Sequence, residues 1–94
     1  MNYIQHVPGR KVKHILVYAL STCVWCRRVK SFLQNEGLEF DFIDVDMLDS
    51  GTSEQVEMEL QRWNPRHSFP TIVINQEQCL VGFDEVRLRE VLEL

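Results

Sequence analysis

Two of the three cysteines, Cys23 and Cys26, are separated by two residues in the segment Cys-Val-Trp-Cys. Thiols at this spacing either exchange with disulfides or supply half of a metal site. A complete zinc site needs two further ligands, and the candidates elsewhere in the chain are Cys79, His67 and His14. No second paired motif accompanies them. Redox chemistry is therefore the first interpretation, and a zinc or iron–sulfur carrier or binding module using the same cysteines is the alternative.

The position of the cysteine pair between two predicted elements favours redox chemistry. Residues 14–20 form a nearly continuous apolar run, typical of a strand buried on both faces, and residues 24–36 follow a helical pattern. Cys23 is therefore expected at a helix start, where unpaired N–H groups and the helix dipole favour a thiolate. We predict that Cys23 is the exposed nucleophile and that Cys26, one turn further along, is the more buried resolving thiol.

The remaining pattern predicts an α/β sheet that positions this pair. Strands are predicted at 14–20, 38–45, 71–75 and 79–81, and helices at 24–36, from Thr52 to Trp63 and from Asp84 onward. The order β-α-β-α-β-β-α gives a four-stranded mixed sheet with three helices on its two faces. Ser21 and Thr22 offer capping hydroxyls to the first helix, and Thr52 resembles the start of a capping box.

Length and charge limit the classes of function. The chain has 94 residues and a net charge of −4, which fits one domain, preceded by an arm over 1–13, and argues against a nucleic-acid binder. Residues 1–30 hold six bases and no acid, and 31–61 hold nine acids and no base. This asymmetry is either two solvated faces or a basic surround for an anion-seeking site. The absence of an apolar run near ~20 residues and of a signal sequence favours a cytoplasmic location.

Together these features resemble a glutaredoxin-type member of the thioredoxin fold over about residues 14–94. The resemblance rests on Tyr18-Ala-Leu-Ser-Thr-Cys23-Val-Trp-Cys26, Ser68-Phe69-Pro70-Thr71 and Val81-Gly82-Phe83-Asp84. It implies an enzyme, a thiol–disulfide oxidoreductase of cell redox homeostasis and electron transfer, that reduces disulfides through a redox-active Cys23–Cys26 pair. It implies no metal or organic cofactor, with glutathione as a candidate co-substrate.

The resemblance also implies a substrate-binding surface. In the family the proline that precedes the third strand is cis, so Pro70 is expected to present the backbone of Phe69 to an extended peptide or to glutathione. Gly82 and Asp84 match two residues of a glycine–glycine–x–aspartate segment that binds the γ-glutamyl end of glutathione. Val81 replaces the first glycine of that segment. The resulting x-Gly-Phe segment before the last helix is similar to NrdH-redoxins, which look like glutaredoxins but are reduced by thioredoxin reductase.

Three further residues have two interpretations each. Trp25 is either an exposed contact for partners or folded back onto the core. Arg66 either meets a glutathione carboxylate or is a solvated arginine after a helix. Cys79 is predicted to be a buried apolar residue, with a regulatory or dimer-forming thiol as the alternative. The predicted partners are disulfide-containing proteins, and glutathione or a thioredoxin- or ferredoxin-linked reductase. We expect a monomer that binds neither nucleic acid nor membrane.

Overall fold

The computed structural model describes residues 3–94 and contains a five-stranded mixed sheet with three α-helices. The strands are β1 (Gln5–Val7), β2 (Ile15–Ala19), β3 (Phe40–Asp44), β4 (Thr71–Ile74) and β5 (Gln78–Val81). The helices are α1 (Val24–Asn35), α2 (Ser50–Trp63) and α3 (Glu85–Leu92), and a 3-10 turn covers Val45–Met47. The strand order is β1-β3-β2-β4-β5. After β1, the chain follows the predicted β-α-β-α-β-β-α order, and the α/β class is confirmed.

The central strand β2 fixes the edge at which the cysteines lie. It runs parallel to β3, with Ala19 opposite Asp44, and antiparallel to β4, with Tyr18 opposite Thr71. Because parallel neighbours end at the same edge of a sheet, the segments that follow β2 and β3 meet there. Cys23 follows β2 directly, so the chemistry is expected at this edge, which we call the carboxyl edge.

The residues of β2 alternate between two hydrophobic clusters, one on each face of the sheet. Ile15, Val17 and Ala19 face the cluster that contains buried residues of α1 and α3, including Val29, Leu33, Leu88 and Leu92. Leu16 and Tyr18 face the cluster that contains Val56 and Leu60 of α2. Full burial of one aliphatic side chain contributes about 1.5–3 kcal/mol. Helices on both faces therefore explain why the run at 14–20 is nearly continuously apolar.

The strand β1 corrects the predicted strand count from four to five. It lies within the arm predicted for 1–13 and pairs antiparallel with β3, with His6 opposite Asp41. The Nδ1 atom of His6 is 2.7 Å from Oδ1 of Asp41. A strand of three residues shows too little alternation to be recognised, and its pairing depends on the open edge of β3. Residues 1–2 of the arm lie outside the described part of the chain.

The start of α2 is also corrected, whereas the predicted cap of α3 is confirmed. The helix α2 begins before the predicted Thr52, because Asp49 is the N-cap and accepts a hydrogen bond from the Thr52 N–H at 2.9 Å. Aspartate is preferred over threonine at this position. Asp84 caps α3 in the same way and accepts from the Arg87 N–H at 3.1 Å.

Candidate active site

Cys23 is the N-cap residue of α1. Its Sγ accepts a hydrogen bond from the backbone N–H of Cys26 at 3.2 Å, the bond that a capping hydroxyl makes in other helices. The predicted capping role of Ser21 and Thr22 is therefore wrong, because the sulfur occupies that place. N–H groups in the first helical turn have no intrahelical acceptors, so they stabilise negative charge on an atom held there.

The two thiols differ in exposure, and burial changes the acidity of Cys26. Cys26 is fully buried in the cluster beneath α1 and α3, whereas Cys23 is partly exposed. Burial, together with the hydrogen bond to Cys23, raises the pKa of Cys26 to about 12. Cys26 is therefore a neutral thiol at pH 7, and its sulfur lies behind the exposed one.

Because folding holds Cys26 neutral, we expect the reduced protein to lose stability in alkaline solution. An unfolded thiol ionises near pH 8.5, whereas the folded pKa of Cys26 is about 12. The unfolded state then binds fewer protons between these values, so the free energy of unfolding falls as the pH rises. Thermal unfolding by circular dichroism, with a phosphine reductant, measures the effect. Between about pH 8.5 and 10, the Tm should fall more steeply for the native sequence than for Cys26→Ala, and equal slopes would contradict the expectation.

The turn between β2 and Cys23 is held by Asp46. The Asp46 carboxylate accepts hydrogen bonds from the backbone N–H of Ser21 at 2.8 Å and from its hydroxyl at 2.5 Å. These bonds lower the pKa of Asp46. The Cys23 N–H donates to the Leu20 carbonyl at 3.1 Å, which closes the turn. Asp46 was not predicted as part of the site from the sequence. The sequence feature that could have indicated this contact is that Ser21 and Asp46 each follow one of the two parallel strands, β2 and β3.

Lys30, one turn after Cys26 on α1, forms a second contact across the carboxyl edge. Its Nζ is 2.9 Å from Oδ1 of Asp44 and 4.0 Å from the centre of the Phe42 ring. The side chains of Lys30 and Asp44 are only 20% and 21% exposed. Lys30 is one of the six bases of residues 1–30, and this contact was not predicted from the sequence. A fixed positive charge therefore stands one helical turn from the buried thiol.

Pro70 lies beside the end of β2 that leads to the cysteines. The Phe69–Pro70 peptide bond is cis, Pro70 is buried, and Phe69 packs against both hydrophobic clusters. The next residue, Thr71, pairs with Tyr18. The Gly82 N–H donates to the Pro70 carbonyl at 2.9 Å, so the segment before α3 also reaches this place. The structure thus joins two of the predicted substrate-binding segments.

A buried asparagine fixes the loop that precedes Pro70. Asn64 is 5% exposed, and its Nδ2 lies within 3.2 Å of the Ser68 carbonyl, the Ser68 hydroxyl and the Thr71 hydroxyl. Its Oδ1 accepts from the Arg66 N–H at 3.1 Å. Asn64 was not predicted as part of the site from the sequence. Its polar group therefore has a positioning role that the sequence pattern does not reveal.

The side chains of the other candidate residues are exposed. Trp25 is 55% exposed, which excludes the folded-back interpretation, and the Arg28 guanidinium lies 5.2 Å from its ring centre. Arg66 and Asp84 are exposed. The Asp84 carboxylate caps α3 by accepting a hydrogen bond from the Arg87 N–H. Gly82 has a φ of +81°, in the left-handed region that favours glycine.

The third cysteine lies apart from α1. Cys79 is half-buried in β5, and its Sγ donates to the Trp63 carbonyl at 3.1 Å.

Within residues 3–94, no three His, Cys, Asp or Glu side chains form a group that could hold a metal ion. In the same part of the chain, no helix combines the length and apolar character needed to cross a membrane.

The fold and the thiol pair at the first helix define a thioredoxin-like protein. The chain belongs to the glutaredoxin family, because the family model described as Glutaredoxin matches residues 15–79. It is similar to the solved glutaredoxin of Methanosarcina mazei Go1, with 41% identity, a TM-score of 0.88, and coverage of 99% of this chain and 90% of that one. It is also similar to the methanoredoxin of Methanosarcina acetivorans, with 38% identity and a TM-score of 0.88. That match covers 92% of this chain and 90% of the methanoredoxin. An uncharacterized glutaredoxin-like 8.6 kDa protein in the rubredoxin operon of Clostridium pasteurianum is 27% identical over 79 residues, 84% of this chain and 97% of that protein. The resemblance and the thioredoxin-like fold inferred from the sequence are confirmed.

Proposed function

We propose that this protein is a dithiol–disulfide oxidoreductase that reduces disulfides of proteins or small molecules. The observation that supports this most directly is the Cys23 sulfur at the N-cap of α1, 3.2 Å from the Cys26 nitrogen. That placement leaves one sulfur accessible and puts the second thiol one turn behind it. Membership of the glutaredoxin family supports the same class of reaction.

The reaction we propose has two exchange steps. The Cys23 thiolate attacks one sulfur of the substrate disulfide, whose S–S bond breaks, and one substrate sulfur leaves as a thiolate. The resulting mixed disulfide joins Cys23 to the other substrate sulfur. Cys26 then loses its proton and attacks the Cys23 sulfur, and the second substrate thiolate leaves. Two electrons have passed to the substrate, and a Cys23–Cys26 disulfide remains for a reductant to reopen. No metal or organic cofactor takes part.

We propose that the substrate lies along Phe69 and Pro70. An extended peptide or glutathione would pair with the Phe69 backbone as an added strand does. Gly82 and Asp84, at the start of α3, would bind the γ-glutamyl end of glutathione. The exposed ring of Trp25 would contact protein partners, and Arg66 would meet a carboxylate of the substrate.

The proposed reductant is glutathione or a reductase linked to thioredoxin or ferredoxin. Val81 is 54% exposed where glutathione-binding relatives have glycine, which leaves the reductase route open. Recycling of the oxidised protein with glutathione plus glutathione reductase, and separately with thioredoxin reductase, identifies the reductant. We propose that the protein acts in the cytoplasm as a monomer of one domain, without binding nucleic acid or membrane.

Trapping of the mixed disulfide tests the proposed function. We expect Cys26→Ser to accumulate a covalent adduct with a peptide disulfide, because the resolving sulfur is absent. Intact mass spectrometry should show one added peptide per chain for Cys26→Ser and no lasting adduct for the native sequence. Using Cys79→Ser as the background in both proteins restricts attachment to the paired thiols. Absence of an adduct in the Cys26→Ser, Cys79→Ser protein would contradict the proposed function.

A further inference from the structure

The second step of the proposed exchange needs a negative charge at a buried position. Cys26 is 0% exposed and lies in an apolar cluster, yet its sulfur must become a thiolate before it attacks Cys23. An ion loses its hydration on burial, which is costly unless an opposite charge is within reach. The attack at pH 7 therefore depends on what surrounds the Cys26 sulfur.

We propose that Lys30 is the positioning residue for this step, and that its ammonium group stabilises the Cys26 thiolate during attack on the mixed disulfide. This inference rests on the proposed function. Lys30 does not touch the substrate and acts through Cys26. Its role differs from that of the exposed Arg27 and Arg28, whose charges face solvent.

The geometry of α1 directs Lys30 toward Cys26. Residues four apart lie on one face of a helix, and their Cβ atoms are about 5–6 Å apart. Helical side chains also tilt toward the N-terminus, so the Lys30 stem extends toward the turn that contains Cys26. Burial raises the pKa of Cys26, and Lys30 opposes that rise. Lys30 therefore lies on the same face of α1 as Cys26, one helical turn away.

The far end of Lys30 is fixed by β3. Asp44, the last residue of β3, holds Nζ at 2.9 Å, and Asp44 lies opposite Ala19 at the carboxyl edge. The Phe42 ring packs 4.0 Å from Nζ on the same strand. These contacts prevent the lysine from extending into solvent. They keep a cation at the edge where the thiol pair lies.

The groups that face the sulfur come from three directions. On α1 they are the Cys23 sulfur and Lys30, and from the turn after β2 the Leu20 backbone forms a hydrogen bond with Cys26. From β3, Asp44 pairs with Lys30. From the turn that follows β3, Asp46 bonds to Ser21, and Lys30 adds a small contribution to the lowering of the Asp46 pKa. Within residues 3–94, Lys30 is the cationic side chain that lowers the pKa of Cys26. The Asp44 carboxylate fixes the position of the ammonium group, and the negative charges of Asp44 and Asp46 partly offset its positive charge.

The step balances without an additional reactant. The Cys26 proton passes to solvent, and the Cys26 sulfur forms a bond with Cys23 while the bond between Cys23 and the substrate sulfur breaks. The substrate sulfur leaves as a thiolate and takes the electron pair of that bond. Lys30 gains and loses no proton, since it supplies only its charge.

The aromatic disulfide 5,5′-dithiobis(2-nitrobenzoate) separates the two steps in time. In a Cys79→Ser background, attack by Cys23 releases one coloured thionitrobenzoate, and the later attack by Cys26 releases a second. The second phase is intramolecular and reports the resolving step alone. The first phase reports whether Cys23 is reactive at all, which is the proposed function itself.

We expect Lys30→Gln to slow the second phase at pH 7 by about threefold, since removal of the opposite charge raises the pKa of the Cys26 thiol that must ionise. The pH dependence of the second phase should move to higher pH by a matching amount. Lys30→Arg keeps the charge and should restore most of the rate. Lys11→Gln removes an exposed lysine of the N-terminal arm and is the matched control, which should leave the pH dependence unchanged.

Three outcomes would overturn one claim or the other. A second phase in Lys30→Gln with native rate and pH dependence overturns the role of Lys30 and leaves the proposed function standing. Equal slowing in Lys30→Gln and Lys30→Arg with an unshifted pH profile shows a merely structural role, which also overturns it. Absence of the first phase in the native sequence overturns the proposed function. Circular dichroism confirms that each variant is folded before the rates are compared.

Discussion

Replacing Cys23 with serine is expected to lower disulfide reductase activity by about three orders of magnitude or more, as is typical when the nucleophile of a covalent mechanism is removed. A serine hydroxyl stays protonated near neutral pH and cannot form the mixed disulfide. The helix should nevertheless remain intact, because serine is a preferred N-cap and its oxygen can accept the Cys26 N–H bond that the sulfur accepts now. The loss would therefore report chemistry rather than unfolding.

Chromatographic measurement of peptide disulfide reduction, driven by a dithiol reductant, checks this result. Cys79→Ser is the matched control, because the Cys79 thiol donates to the Trp63 carbonyl from β5 and lies apart from α1. That variant should keep its activity within about twofold, as expected when the group removed is not the reacting one. The assignment of Cys23 is wrong if Cys23→Ser retains more than a tenth of the native rate above the uncatalysed background.

Asn64→Ala is expected to lower the free energy of unfolding by about 2–3 kcal/mol, because each buried polar group left without a partner costs about 1–3 kcal/mol. The Asn64 amide bonds to Ser68 and Thr71, and its oxygen accepts from the Arg66 N–H. The Thr71 hydroxyl keeps its own bond to the Ser68 carbonyl at 2.9 Å, which limits the loss. The loop that leads to Pro70 would then be less well held.

Urea unfolding followed by tryptophan fluorescence measures this change. Asn35→Ala is the matched control, since it removes the same amide from an exposed position at the end of α1 and should cost less than about 0.5 kcal/mol. We also expect Asn64→Ala to weaken reduction of peptide disulfides, because Phe69 follows the loosened loop. Equal stability of the two variants would show that the Asn64 network contributes little.

The local sequence pattern predicted those helices and strands whose formation depends on residues close together in the chain. The apolar run at 14–20 predicted a strand buried on both faces, and Cys23 was placed correctly at a helix start. The contacts that support the site were missed because they join distant residues. Ser21 and Asp46 are 25 positions apart, and Lys30 and Asp44 are 14 apart, so neither pair forms a repeating pattern. They become visible only when β2 and β3 are known to end at one edge.

The direction of the strand β1 also determines through which end the protein should be attached to an electrode surface. Because it runs antiparallel to β3, Gln5 lies opposite Phe42, close to the edge that holds the thiols. At the other end of the sheet, the Lys13 ammonium just before β2 is 3.2 Å from the Glu93 carboxylate. A tether attached ahead of Gln5 would turn the carboxyl edge toward the electrode, whereas one attached after Leu94 would turn that edge toward the solution. Attachment through Leu94 is therefore the orientation that keeps the partly exposed Cys23 sulfur accessible to dissolved substrates.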